Sequence, residues 1–293
     1  MKRTVSFDSA GQTLTGDLYL PDNYEDGTRL PGVVVTGAWT SVKEQMPGTY
    51  AAELADRGFA ALAFDFRGWG ASPDAVQFLE DPTRKTDDIV AAIEFMATRD
   101  EVDPASLAGL GICASAGYMS DAALQSPKIK ALALVAPWLH NAAIVDAVYG
   151  GQDGVSALIA AGRDAEAPDT PVVIEAASAT NEQSLMFGAP YYTETDRGLI
   201  AEYDNRFNVA SWEPWLTYDA IQTAHKLDKP TLLVHSDAAA IPQGTKQYAE
   251  IMGDNAETIW LDGVTQFDFY DQPAAVTTSA DAVARHFASE LSR

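Results

Sequence analysis

A mostly parallel, doubly wound α/β sheet is the fold class this sequence predicts, and three observations predict it. Short apolar runs alternate with helix-like segments through the first half: Val33-Val34-Val35, Phe59 to Phe64, Leu107 to Ile112 and Ala131 to Val135. The same rhythm returns after residue 225, and the stretch Gly111-Ile112-Cys113-Ala114-Ser115-Ala116-Gly117 sets small residues at one strand-to-helix junction. With 293 residues, 47% of them hydrophobic, the chain can fill one large core and carry an insertion.

Taken in order, Thr4 to Asp8 and Leu14 to Leu20 alternate as strands do and meet at Gly11, which predicts an opening hairpin. Pro31 to Thr36 reads as a strand covered on both faces, and a helix from about Gly48 to Arg57 stops at Gly58. Phe59 to Phe64 is the next buried strand, followed by the glycine-punctuated loop Asp65 to Ser72 and an amphipathic helix over Asp87 to Ala97. The junction strand, a helix over Tyr118 to Gln125 and the strand Ala131 to Val135 complete this half. Between Trp138 and His225 the alternation lapses, and aromatic clusters appear at Tyr191-Tyr192 and Trp212 to Trp215. A structureless loop of that length does not fit a compact domain, so residues 138–225 are expected to form an inserted cap. The core is then 1–137 and 226–293, closed by a strand at Pro230 to His235, a helix at Gly244 to Met252, a strand at Thr258 to Leu261 and a last helix at Pro273 to Leu291.

Forty-two acidic against nineteen basic residues give a net charge of -23, which repels nucleic-acid phosphates and anionic membranes. A lone cysteine rules out an internal disulfide and paired-cysteine metal or redox motifs, and suits a reducing cytoplasm. No signal-peptide stretch, membrane span, HExxH or P-loop is evident, so no metal or cofactor is expected. A homo-oligomer is left open.

Two frames fit the junction, one centred on Cys113 and one on Ser115. The first is favoured because the strand ends at Ile112 and Gly111 stands two residues before the tip. A thiol there would face a helix N-terminus, whose partial positive charge favours thiolate; the competing reading is a buried structural cysteine.

Together with Val42 to Met46, Asp65 to Ser72, His235-Ser236-Asp237 and Gly263 to Asp271 in that order, this junction resembles the α/β-hydrolase superfamily, and within it the dienelactone-hydrolase-like branch. The resemblance implies an α/β-hydrolase fold with Cys113 as nucleophile. It implies oxyanion donors at Ala114 and at Ala38 or Trp39, with Trp138 as a substrate contact. Glu44 falls where that branch places a glutamate beside its thiol, or else pairs with solvent at a helix start.

Two departures follow from the same comparison. The acid position falls on Ala239, with Asp237 as a substitute or a loop brace, and the histidine position falls on Gln266, which has no titratable nitrogen. Asp268 and His140 are the surrogate bases; His140 could equally anchor the cap, and His225, His235 and His286 read as structural. The expected function is a Cys-dependent hydrolase or acyltransferase of a small ester, lactone or thioester through an acyl-enzyme on Cys113, with a degenerate triad. The alternatives are a retired hydrolase that binds without turnover and a non-covalent lyase or isomerase that uses the oxyanion hole.

Overall fold

The computed structural model describes residues 1–166 and 171–292; residues 167–170, within the expected cap, lie outside the described residues. Lys2–Ser9 (β1) and Gln12–Tyr19 (β2) form the opening hairpin. Leu30–Thr36 (β3), Met46–Asp56 (α1), Ala60–Phe64 (β4), Pro82–Met96 (α2), Val102–Ile112 (β5), Ser115–Gln125 (α3) and Ile129–Val135 (β6) follow as alternating strand and helix. Thr231–His235 (β7), Pro242–Met252, Ala256–Trp260 (β8) and Pro273–Leu291 close the core.

One eight-stranded sheet runs in the order β1-β2-β4-β3-β5-β6-β7-β8. From β4 to β8 every neighbouring pair is parallel; β2 meets β4 antiparallel, so the sheet is mixed at its hairpin edge. Val33, Val34 and Val35, Ala60 to Ala63 and Leu132 to Val135 have no exposed surface, because helices cover both faces of the parallel strands. Right-handed crossovers bring the loops after Thr36, Ile112, Val135, His235 and Trp260 to one edge.

The α2 helix begins earlier than its apolar periodicity shows. Asp81 accepts from the Thr83 and Arg84 amides, Pro82 occupies the first helical position, and the turn Pro82 to Thr86 is thereby recruited. Between β6 and β7 the chain forms two helices, Ala142–Val148 and Gly151–Glu166, then short strands and turns. These helices were not legible as such, since Gly150 and Gly151, both at positive φ, break the periodicity between them. The result is the α/β core with an inserted cap region over the loop edge.

Candidate active site

The strand-to-helix junction is a strained turn with Cys113 at its tip. Cys113 has a φ of 58°, the left-handed region that a residue with a side chain enters only where its surroundings hold it there. Its amide donates to the Val135 carbonyl at 3.2 Å, and its own carbonyl accepts from the Trp138 amide at 2.9 Å. Gly111 is required by closeness: a Cβ there would lie 2.7 Å from the Ala116 Cα and 2.8 Å from the Ser115 carbonyl oxygen. Ser115 is wholly buried one residue into the helix region, and its hydroxyl donates to the Ile112 carbonyl at 3.0 Å while accepting from the Ile112 amide at 3.2 Å.

The backbone N–H groups of Ala114 and Trp39 both lie beside the Cys113 side chain and favour its ionised form. Ala114 donates because it opens α3, where amides lack helical partners. Trp39 is held by its loop: Ser41 closes onto the Ala38 carbonyl through its hydroxyl at 2.7 Å, and Thr40, at a φ of 59°, turns the chain. Glu80, with no exposed surface, anchors this loop from behind. Its carboxylate accepts from the Thr40 amide at 3.4 Å, the Lys85 ammonium at 2.8 Å and the Tyr118 hydroxyl at 2.9 Å, so one buried anion ties the Trp39 loop to α3. Lys85 also sits 4.6 Å from the centre of the Phe66 ring.

Above the tip lies a cavity of about 630 Å3. The core lines it with Trp39 and Ala114, and the cap with Trp138, Tyr149, Tyr192 and Trp215. Cys113 keeps 7% of its surface exposed, so solvent reaches the tip. Burial nevertheless raises the thiol above its ordinary range, and the charge of Glu80 adds to that rise. Contacts from Tyr270, Ala114 and Trp39 oppose it without reversing it. The expected thiolate-favouring effect of the helix N-terminus is therefore outweighed by desolvation.

Gln266 borders the cavity at the position where the resemblance places histidine. Its carbonyl accepts from the Ala240 amide at 3.0 Å, and its amino group donates to the Ala136 carbonyl at 2.9 Å and to the Tyr270 hydroxyl at 3.0 Å. It is a fully engaged brace that orients Tyr270, whose hydroxyl is directed at the Cys113 sulfur. Tyr270 was missed as a site residue. The available signal was its place four residues after Gln266, in the one-turn helix Asp268–Asp271.

The other candidate acids and bases each have partners of their own. His140 is buried, accepts from Trp138 Nε1 through Nδ1 at 3.0 Å and gives its Nε2 proton to the Trp215 carbonyl at 3.2 Å. It has no free lone pair, and burial pushes its pKa down to about 4. Its ring links Trp138 to Trp215 and does not border the cavity. Asp237 is exposed and pairs with Lys246 at 2.6 Å, while Asp268 is tied to the Thr265 amide at 2.8 Å as a turn cap. Glu44 pairs with Lys43 at 2.5 Å, and Lys43 in turn reaches buried Asp65 at 2.8 Å. That chain of charges fixes the β3 loop to the β4 loop and does not line the cavity. Ala38, Trp39, Ala114 and Trp138 do line it. Among the described residues no cluster of three or more histidine, cysteine or acidic side chains could hold a metal ion, and no helix is long and apolar enough to cross a membrane.

The profile of the serine aminopeptidase S33 family matches residues 41–184. The uncharacterized protein YcjY of Escherichia coli is 29% identical over 313 aligned positions, covering 99% of this chain and all of that one. The crystal structure of protein PA2218 from Pseudomonas aeruginosa superposes with a TM-score of 0.85 at 23% identity, over 99% of this chain and 94% of the other. Est1E from Butyrivibrio proteoclasticus, solved with ferulic acid bound, gives a TM-score of 0.68 at 17% identity over 99% and 100% of the two chains.

These findings correct two expectations. The matching profile is of a serine-hydrolase family, and the similar folds include esterases and a lipase, so the dienelactone-hydrolase-like branch is the wrong relative. The Cys-dependent acyl-enzyme on Cys113 falls with it. The physical ground agrees: a desolvated thiol with its pKa raised, sharing its cavity with a glutamine that can take no proton, is poorly prepared to attack a carbonyl and then to release an acyl group as acid.

Proposed function

We propose that this α/β-hydrolase-fold enzyme hydrolyses small, uncharged esters, holding the acyl carbonyl oxygen between the backbone N–H groups of Ala114 and Trp39. The observation that carries the reading is that both amides act on the Cys113 side chain and that all three residues line the floor of the aromatic cavity. Donors fixed in advance at such a point stabilise the negative charge that grows on the carbonyl oxygen as it is attacked, and they do so without reorganising. The ring-lined walls exclude bulk water and strengthen that interaction. An acetyl xylan esterase from Paenibacillus among the similar folds, and Est1E with its bound ferulic acid, support an ester as the bond broken.

Hydrolysis needs an oxygen nucleophile at that carbonyl. Ser115 can supply one only if both of its bonds to Ile112 open, whereas water reaches the tip through the cavity. Tyr270 stays a neutral phenol, because burial and the adjacent sulfur raise its pKa well above the ordinary value, and it therefore acts as a hydrogen-bond donor beside the reacting carbonyl. In this reading residues 138–225 are the cap that shapes the acyl pocket, and the lone cysteine suits a reducing cytoplasm.

The test is release of p-nitrophenol from p-nitrophenyl butyrate by the purified protein and by a Met186→Trp variant that fills the cavity. Saturable release, lost in the folded variant, is expected. Release unaffected by the filled cavity would place the chemistry elsewhere.

A further inference from the structure

Sequence and structure disagree about charge in one place. The chain carries 42 acidic and 19 basic side chains, yet among the described residues no Asp, Glu, Lys, Arg or His borders the cavity. Its walls are rings from both layers. Trp39 packs on Trp215 with centroids 4.8 Å apart and planes at 38°, and touches Trp212 at 6.0 Å; Trp138 continues the row at 6.4 Å from Trp215. Rings packed on one another at these angles make a continuous aromatic wall with no carboxylate beside it.

We propose that this cavity takes an uncharged aromatic or conjugated acyl group, packed against the Trp39–Trp215 wall, and turns away substrates that carry an ammonium group. The inference rests on the hydrolase reading only for where the carbonyl sits. Flat rings gain from offset or edge contacts beyond the burial of their area, and a volume of about 630 Å3 accommodates a fused ring system and not merely an acetyl group. An N-terminal ammonium, by contrast, would lose its water without meeting an anion. Glu80, the acidic group nearest the tip by its influence on Cys113, is already engaged by Lys85, Tyr118 and Thr40 and does not border the cavity. The aminopeptidase activity in the matching family's description therefore has no anchor for its substrate's amine in this pocket.

Methyl ketones test this directly, since they offer a carbonyl but no bond to hydrolyse. Calorimetry on the intact protein would compare 2-acetonaphthone, 2-decanone and a trimethylammonium-bearing methyl ketone, with L-phenylalaninamide as the peptide-like amine. The expected result is at least tenfold tighter binding of 2-acetonaphthone than of 2-decanone, no measurable binding of either cation, and loss of the aromatic preference in a Trp138→Leu variant that still unfolds in one cooperative melt. Equal binding of the two neutral ketones, or tighter binding of a cation, overturns the proposal. Ketone binding with this preference but no ester turnover would sink the hydrolase reading alone; turnover without the preference would sink this one alone.

Discussion

Ala114→Pro removes one hydrogen atom from the proposed oxyanion site while leaving every side chain in place. Ala114 has a φ of -58° and a ψ of -39° at the start of α3, which matches the angle that a proline ring imposes and the helix position where a missing N–H is tolerated. No other hydrogen bond of that amide is lost, since its N–H is aimed at the tip of the turn. The cost falls on Cys113, whose φ of 58° is a poor conformation for a residue before proline, and is of the order of ~1–3 kcal/mol of stability. Removing one oxyanion donor is worth about 2.7–4 kcal/mol in the transition state, so kcat on a neutral p-nitrophenyl ester should fall roughly 100- to 1,000-fold. KM should hold nearly constant, because a neutral ground-state carbonyl uses the donor little. Steady-state kinetics beside a thermal melt separates the two effects. A folded variant with kcat within threefold of wild type would refute the assignment of the Ala114 amide.

Three further outcomes follow from the same geometry. Glu80→Gln keeps the shape but loses the anion that holds Thr40, Lys85 and Tyr118, so kcat should drop roughly 10- to 100-fold by the cost of a broken buried network, about 1–3 kcal/mol, with the thiol of Cys113 titrating lower than in wild type by its absorbance at 240 nm. Asp237→Ala, at an exposed pair with Lys246, should leave kcat/KM within twofold and stability within about 0.5 kcal/mol; a hundredfold loss would restore it as a triad acid. His140 and His235 are both buried with pKa values pushed down to about 4 from 6.5, so the unfolded chain binds protons between those limits that the folded chain refuses. Stability is then full above pH 6.5 and declines as pH falls toward 4, by about 3 kcal/mol for each ring at roughly 1.4 kcal/mol per pKa unit; a melting temperature flat over that range would contradict it.

The sheet was readable because its strands are buried on both faces and therefore written as unbroken apolar runs, as in Val33-Val34-Val35 and Ala131 to Val135. The tip of the turn was readable for a steric reason: only glycine fits at position 111 against Ala116. What chemistry that tip supports was not. A helix N-terminus is visible in sequence, whereas the depth of burial that outweighs it at Cys113 depends on where the cap lands. His140 illustrates the same gap, since its position in a loop at the right edge gave no sign that Trp138 and Trp215 occupy both ring nitrogens. Glu80 and Tyr270 went unremarked because their partners, Thr40 and Cys113, are distant in sequence and meet only through the fold.

The amide pair at the elbow is most directly read from the carbonyl it is said to hold. The infrared band of carbonyl-labelled 2-acetonaphthone should move to lower frequency on binding than in water, and much of that shift should vanish in Ala114→Pro. A bound band at the frequency seen in hydrocarbon solvent, unchanged by the proline, would show that no oxyanion site operates here.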